Sequence, residues 1–482
     1  EGQGNLMTHT ERNITSIPIS GVYNLRDNKI VVDWKVAPSF VRVYDKDFRK
    51  TVFEKVGDRL LLNSGIMWPT RLWRNLEEDA LASNLNMTLN YKLNGLDNKL
   101  RIGAGFATKN RDFTTNNYSL GFIGSSPILG GDPNQILNTN NVWTLADPKG
   151  TYTIGSYQRT NQYEAGSKTI AFYISNEFKI TNSFKSVFGV RFEQYNTLYT
   201  GETVDYIIYD KEEFIDVGDI YPSINLINSI DDNTNLRFSY SKTTARPSFK
   251  EISGAQIYDP VTERNFLGNP NLLPTYIDNL DLRYERFGIG NQIFAISAFY
   301  KIFDNPIEIL FPNFNSPNIL QASNNDSAKV YGVEFEYRKD FINNDINKLS
   351  LNMNTSIIRS RQKMNDSEYS GRQITEPDRD IDQYREMQGQ SPFIINTGLI
   401  YSSLDKNIEV GAYYNVQGKT LQVVGVGNIP DVYTDPFNSL KLNATKTFGK
   451  NNSQSITFKV DNLLGDKRES RYNYFGNTEY LF

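Results

Sequence analysis

Catalytic side chains are scarce in this sequence. His9, in Leu6-Met7-Thr8-His9-Thr10-Glu11, is its one histidine, and there is no cysteine. A Ser-His-Asp hydrolase would have to use His9, and a histidine in a near-terminal loop reads as an ordinary surface residue. A thiol nucleophile, a zinc–thiolate site and a disulfide are all excluded, as is a histidine-rich metal site. The densest charged stretch is EPDRDIDQYRE, Glu376 to Glu386. Its Asp378, Asp380 and Asp382 stand two apart, as oxygen donors to calcium do, but no glycine turn or closing bidentate glutamate follows. The stretch therefore reads as a solvated loop in which Arg379 and Arg385 pair with their own aspartates. No catalytic residue, metal ligand or cofactor motif is assigned, and the chain is not read as an enzyme.

The remaining charges follow a pattern of their own. In Asn279 to Glu285, the residues Asn279, Asp281, Arg283 and Glu285 alternate with Leu280, Leu282 and Tyr284. A period of two is a strand with two unlike faces. In water the apolar face would be a core; in an outer-membrane barrel it would meet lipid, and the charged face would line a lumen. Similar alternation recurs at Lys329 to Arg338, Thr169 to Ile180, Leu100 to Phe106 and Ile408 to Tyr414. The charged face then collects Arg101, Arg191, Glu193, Arg237, Asp281, Arg283, Glu285, Glu334, Glu336, Arg338 and Glu409, a wall suited either to gripping a polar domain or to a water-filled pore. The apolar face carries Tyr284, Tyr300, Tyr337, Tyr401 and Tyr414 near strand ends, where an interfacial girdle is expected.

Composition narrows the class. The 482 residues are 39% hydrophobic and 22% charged, with a mean hydropathy of -0.50. No stretch approaches the roughly 20 apolar residues of a spanning helix, whereas alternation averages a barrel strand to neutral. The net charge of -4 comes with no basic block, so nucleic acid is not an expected partner. The absence of cysteine suits an oxidising envelope compartment. The opening Glu1-Gly2-Gln3 has no basic or apolar leader region, so a signal peptide is expected to have been removed or to lie outside this sequence.

About sixteen strands are expected, near 14–22, 29–44, 81–93, 99–112, 168–180, 184–198, 220–230, 234–242, 276–287, 291–303, 328–340, 348–360, 392–403, 407–417, 438–448 and 454–463. The gaps between them alternate without exception. Short ones fall at 23–28, 94–98, 181–183, 231–233, 288–290, 341–347, 404–406 and 449–453. Long ones fall at 45–80, 113–167, 199–219, 243–275, 304–327, 361–391 and 418–437. This is an all-β, antiparallel up-and-down transmembrane barrel with tight turns at one rim and long loops at the other. A soluble sandwich has no reason to place every long loop at one end. Loops this long are usually functional, and Trp143, Arg246, Tyr258, Phe266, Asn269 and Phe311 are the candidate ligand contacts, because aromatics and arginine dominate recognition surfaces.

Several segments now carry a resemblance. ARPSFKEISG (Ala245 to Gly254) followed by NFLGNPNLLPTYIDNLDLRYERF (Asn265 to Phe287) resembles the Arg-Pro and Gly-Asn-Pro-x-Leu-x-Pro loop and barrel strand of TonB-dependent receptors. GQSPFIINTGLIY (Gly389 to Tyr401), IPDVYTDPFNSLKLNATKTFG (Ile429 to Gly449), ITFKVDNLLGD (Ile456 to Asp466) and NKIVVDWKVAPSFVRVYDKDFR (Asn28 to Arg49) are similar to further pieces of the same family, in its Bacteroidota-type form. The resemblance implies a 22-stranded barrel filled by an N-terminal plug. It implies outer-membrane location, in contact with lipid and lipopolysaccharide, and import of a scarce ligand driven by the TonB complex of the inner membrane. A surface lipoprotein or other envelope protein is a further candidate partner. Residues 1–482 are then expected to be the C-terminal part of the barrel, with the plug, the first strands and a final strand outside this sequence. Two other readings stay open: a passive sixteen-stranded porin, and a barrel that displays its loops without transporting.

Overall fold

The computed structural model describes residues 2–62, 68–124, 129–155, 159–259, 262, 264–313, 316, 318–375, 380–427, 429–474 and 477–480. Sixteen long strands form one meandering sheet. β1 covers residues 2–25 in three segments, Gly2–Met7, Thr10–Ser16 and Ile19–Leu25. It is followed by β2 (Ile30–Val56), β3 (Thr70–Leu93), β4 (Leu96–Ile123), β5 (Gln162–Lys179), β6 (Phe184–Glu202), β7 (Ile208–Asp231) and β8 (Thr234–Ala245). β9 (Thr275–Phe287), β10 (Ile293–Asp304), β11 (Ser327–Asn343), β12 (Asn347–Lys363), β13 (Phe393–Ser403), β14 (Ile408–Gln417), β15 (Phe437–Phe448) and β16 (Gln454–Val460) complete it. Each pairs antiparallel with its sequence neighbour. Among the described residues no ladder joins β1 to β16, and no helix is long and apolar enough to cross a membrane.

All sixteen expected strands are present, but several are longer than the alternation marked. β2 runs on to Val56, β3 starts at Thr70, and β7 starts at Ile208. Most of 45–80 and 199–219 is therefore strand rather than loop. Alternation is enforced where the two faces meet unlike solvents; beyond that band neither face meets lipid, so Arg74, Asn75, Glu77, Glu78 and Asp79 crowd around Leu76 in a strand with no apolar period. The turn after β3 is also tighter than expected. It is the pair Asn94-Gly95, both at positive φ (51° and 79°), the backbone a two-residue hairpin turn requires.

Ladder register assigns the faces. One row crosses five strands as Phe238, Leu282, Ala298, Val333 and Ile357. The adjacent row, on the opposite face, is Arg237, Arg283, Ser297, Glu334 and Ser356. Val333 is 50% and Ile357 66% exposed. Apolar rows open over so many strands suit a hydrocarbon solvent. The other face is covered at the long-loop end. There Phe113 of β4, Tyr163 of β5 and Tyr199 of β6 form a core with Phe249, Ile252, Leu272 and Ala322 from the loops 246–274 and 305–326. The long loops thus fold inward over the polar face.

Val333 sits mid-row between Tyr331 and Tyr337. Val333→Arg is expected to destabilise the full-length protein by about 2–4 kcal/mol in bilayers, whereas Ser239→Asn on the opposite face stays within ~0.5 kcal/mol. Urea unfolding of the protein reconstituted in phospholipid vesicles measures both; equal effects would mean that the apolar face does not meet lipid.

Candidate functional site

The polar face is an ion-paired wall. Register puts all eleven charged residues expected on one face onto the same side of the sheet. Arg237 Nε meets Glu285 Oε1 at 2.5 Å, and Arg283 Nε meets Glu285 Oε2 at 3.0 Å. Arg283 Nη2 reaches Glu336 Oε2 at 2.9 Å, and Arg338 Nη2 reaches Glu336 Oε1 at 3.0 Å. Arg237 and Arg283 stand directly opposite each other, an unfavourable like-charge pair that Glu285, buried between them, reverses. Arg191 pairs with Glu193 at 2.6 Å, Arg101 lies 3.5 Å from Asp33, and Glu334 accepts the Ser356 hydroxyl at 3.4 Å. Asp281 and Glu409 are placed on this face by register alone.

Above the wall lies the loop layer. Helix α1 (Phe249–Ile252) opens with a capping box, in which the Ser248 amide donates to Glu251 Oε2 at 2.6 Å and the Glu251 amide to Ser248 Oγ at 3.4 Å. Gly268 presses against its end: a Cβ there would lie 1.9 Å from the Ser253 carbonyl oxygen, so only glycine allows the approach. Asn269 then ties the two loops together. Its amide donates to the Glu251 carbonyl at 2.6 Å, and its Nδ2 donates to the Ala322 carbonyl at 3.1 Å. Leu272 is buried below. The Gly-Asn-Pro segment is thus a clamp that sets loop against loop.

The six candidate contact residues are distributed through this layer. Arg246 binds Glu193 Oε2 at 2.7 Å and stacks over Tyr195 at 4.2 Å, fastening the loop to the wall. Phe266 packs on the loop core beneath Lys250, whose Nζ lies 4.2 Å from its ring centre. The Tyr258 carbonyl accepts from Arg74 of β3 at 3.5 Å. Trp143 lies apart, its amide donating to the Thr151 carbonyl at 2.9 Å. Phe311 is 2% exposed, packed with Val423 and Val432. It is therefore a core residue and not a surface contact, because two loops close around it.

A cavity of about 990 Å³ opens between the loops 361–391 and 418–437 and the segment 470–472. Its floor is a buried ion network. Arg385 reaches Glu308 Oε2 through Nη2 and Glu368 Oε1 through Nε, each at 2.6 Å. Arg372, on helix α2 (Asp366–Thr375), spans from Glu368 to Asp431, both at 2.8 Å. Burial works against the Arg385 charge, and its hydrogen bonds to Glu308 and Glu368 outweigh it, leaving its pKa raised. Gln388 completes the joint by bonding the Ile309 and Gln422 carbonyls at 2.7 and 2.6 Å. On the rim, Lys419 Nζ sits 4.0 Å over the Tyr433 ring, and burial, with Asp431 and Glu386, pushes the Tyr433 hydroxyl up.

The expectation for Glu376 to Glu386 is corrected here. Arg385 is nearly buried and bonds Glu308 of another loop and Glu368 of helix α2 in its own loop instead of its neighbouring aspartates, because these two buried carboxylates offset its desolvation. Asp382 does meet an arginine, Arg361, at 3.4 Å; Asp378 and Arg379 lie outside the described residues. Among the described residues no group of three or more potential metal-ligating side chains is assembled. Glu308, Glu368 and Asp431 escaped sequence reading because they come from three separate loops, with no local spacing to relate them.

The family described as TonB dependent receptor-like, beta-barrel, matches residues 32–463. Among solved structures, the chain is similar to the ferric-catecholate import receptor Fiu of E. coli K12 in its closed form (TM-score 0.61, 12% identity, 98% of this chain and 62% of that one). It is similar also to the siderophore receptor PiuA of Acinetobacter baumannii (TM-score 0.60, 12% identity, 98% and 62%) and to the copper transporter OprC (TM-score 0.59, 12% identity, 93% and 60%). The chain therefore spans about three-fifths of each of these proteins, and at such identity the likeness carries the fold alone. No curated protein matches its sequence significantly.

Arg385→Met strands two buried carboxylates and is expected to cost the loop layer roughly 3–5 kcal/mol. Amide hydrogen exchange should quicken in 305–313 and 380–391 while β9 to β12 keep their protection. Adding Glu308→Gln and Glu368→Gln should restore much of the loss; unchanged exchange in the single variant would sink the network as the joint.

Proposed function

This chain belongs to the TonB-dependent receptor-like β-barrel family and sits in the bacterial outer membrane, and from that premise we propose that it captures a scarce extracellular ligand in its loop layer and passes it inward through the barrel. The observation that carries the reading is the loop layer itself, three loops joined by buried ions around a cavity of about 990 Å³ on the mouth of a polar wall. A cavity of that size with a few convergent polar groups has the form of a binding site. On this reading, strands outside the present sequence close the sheet and a plug domain fills the wall. Movement of that plug, energised from the inner membrane through TonB, admits the ligand. The similar structures are named for ferric-catecholate, siderophore and copper transport, and metal chelates are accordingly the first cargoes to try.

A passive porin would have to close on sixteen strands. No ladder between β1 and β16 among the described residues supports that closure. The test is uptake by cells carrying or lacking the full-length protein, using labelled ferric chelates, copper and oligosaccharides, with the proton gradient intact or collapsed. Accumulation that needs both protein and gradient is expected for one of these cargoes. Protein-dependent entry that ignores the gradient would replace import with a passive pore.

A further inference from the structure

The polar wall changes its chemistry around its circumference. From β8 to β11 it presents the ion-paired run Arg237, Glu285, Arg283, Glu336 and Arg338. From β12 to β14 the same face is neutral at mid-height. Register brings Asn354, Asn396, Asn415 and Ser439 into one row across β12 to β15, directly continuing from Glu336. The row beside it runs Asn352, Gly398, Tyr413. Tyr413 lies flat along the wall: a Cβ at Gly398 or at Gly411 would fall 2.9 or 2.7 Å from its side chain, so the two glycines make the recess it occupies. The charged residues of this sector, Lys348 and Glu409, stand beside the short turns, and Lys441 on β15, paired with Asp461 at 3.1 Å, marks its far border.

We infer that the neutral sector of β12 to β14 is the side of the barrel along which cargo travels, and that the cargo it suits is rich in uncharged hydroxyl or amide groups. The inference rests on the import reading above. Its physical ground is the unequal resistance of the two sectors. A group moving past an amide exchanges one neutral hydrogen bond for another, with little net change. A group moving past the ion-paired run must either leave charges without partners or keep its own hydration in their field, and both oppose passage. The flat ring adds an apolar platform against which the C–H face of a polyol can rest, and its place in the glycine recess leaves the path unobstructed. The ion-paired sector, by contrast, is the side suited to holding a charge-matched domain in place.

The chain contains no cysteine, so single cysteines can report on each sector. Asn396→Cys and Asn415→Cys mark the neutral side; Ser239→Cys and Asp281→Cys mark the ion-paired side. Each is placed in the full-length receptor in living cells and exposed to an uncharged, membrane-impermeant maleimide carrying a short polyethylene glycol. Labelling is timed with the proton gradient intact and collapsed, and Asn354→Cys stands in for either neutral-side variant that fails to reach the outer membrane. The expected result is labelling that quickens about fivefold or more with the gradient on the neutral side alone, the ratio that a modest free-energy difference between sectors sustains. Equal or greater quickening at Ser239→Cys and Asp281→Cys overturns the assignment of the path and leaves import standing. No response to the gradient at any position overturns the assignment and the import reading together.

Discussion

The constraint on which the rest of the structure depends is that a sheet in hydrocarbon must satisfy its backbone internally while its two faces meet different solvents. The ladders satisfy the first condition strand by strand. The second fixes the register, because a slip by one residue would exchange Leu282 with Asp281 or Val333 with Glu334 and bring charge to lipid all along the strand. The apolar face can be loosely specified, since any greasy side chain suits lipid. The polar face cannot. Arg237 and Arg283 are tolerable opposite each other because Glu285 is buried between them, and Glu285 is tolerable there because both guanidiniums reach it.

The same logic operates above the membrane band, where desolvation comes from loops folding on one another instead of from lipid. Arg385 and Glu368 of the loop 361–391 meet Glu308 of the loop 305–326, and each would be costly to bury alone. Together they bind the segments into one layer, and Arg372 extends the link to Asp431. Loops that share buried charges cannot open independently, so the cavity between them is held in shape by the ions beneath it. Gly268 and Asn269 act in the same way through the backbone, one by its missing Cβ and the other by donating across the gap.

Much of this was legible in the sequence, and the limits are physical. The alternation of Leu280, Leu282 and Tyr284 against Asp281, Arg283 and Glu285 marks a strand because each face answers to one solvent. The sixteen strands and the shared face of eleven charged residues follow from that period. The extensions at 45–56 and 208–219 were hidden because beyond the lipid band one face meets water and the other is partly covered by folded loops, as at Phe53 and Phe214, so no strict period is imposed. The loop layer was hidden for a different reason. Its order comes from contacts between residues far apart in the chain, such as Arg385 with Glu308, and an isolated charge in a loop looks the same whether it is solvated or buried. Phe311 was misplaced by the same blindness: an aromatic in a loop reads as a contact until the neighbouring loop that covers it is seen.

The mouth and the wall meet at several levels, and one strand carries two of the contacts. Arg246, one residue past β8, holds Glu193 and lies over Tyr195 on β6. Glu193 also holds Arg191, so the loop shares a carboxylate with the wall. Tyr199 on the same strand packs its ring into the loop core, and its hydroxyl accepts the Gly254 amide at 2.9 Å. β6 is therefore one strand to which the loop 246–274 is fastened, by charge at one level and by packing at the next. A contiguous physical route of this kind is what coupling between sites requires. A displacement of the loop 246–274 would therefore reach the wall through Glu193 and through the packing around Tyr199.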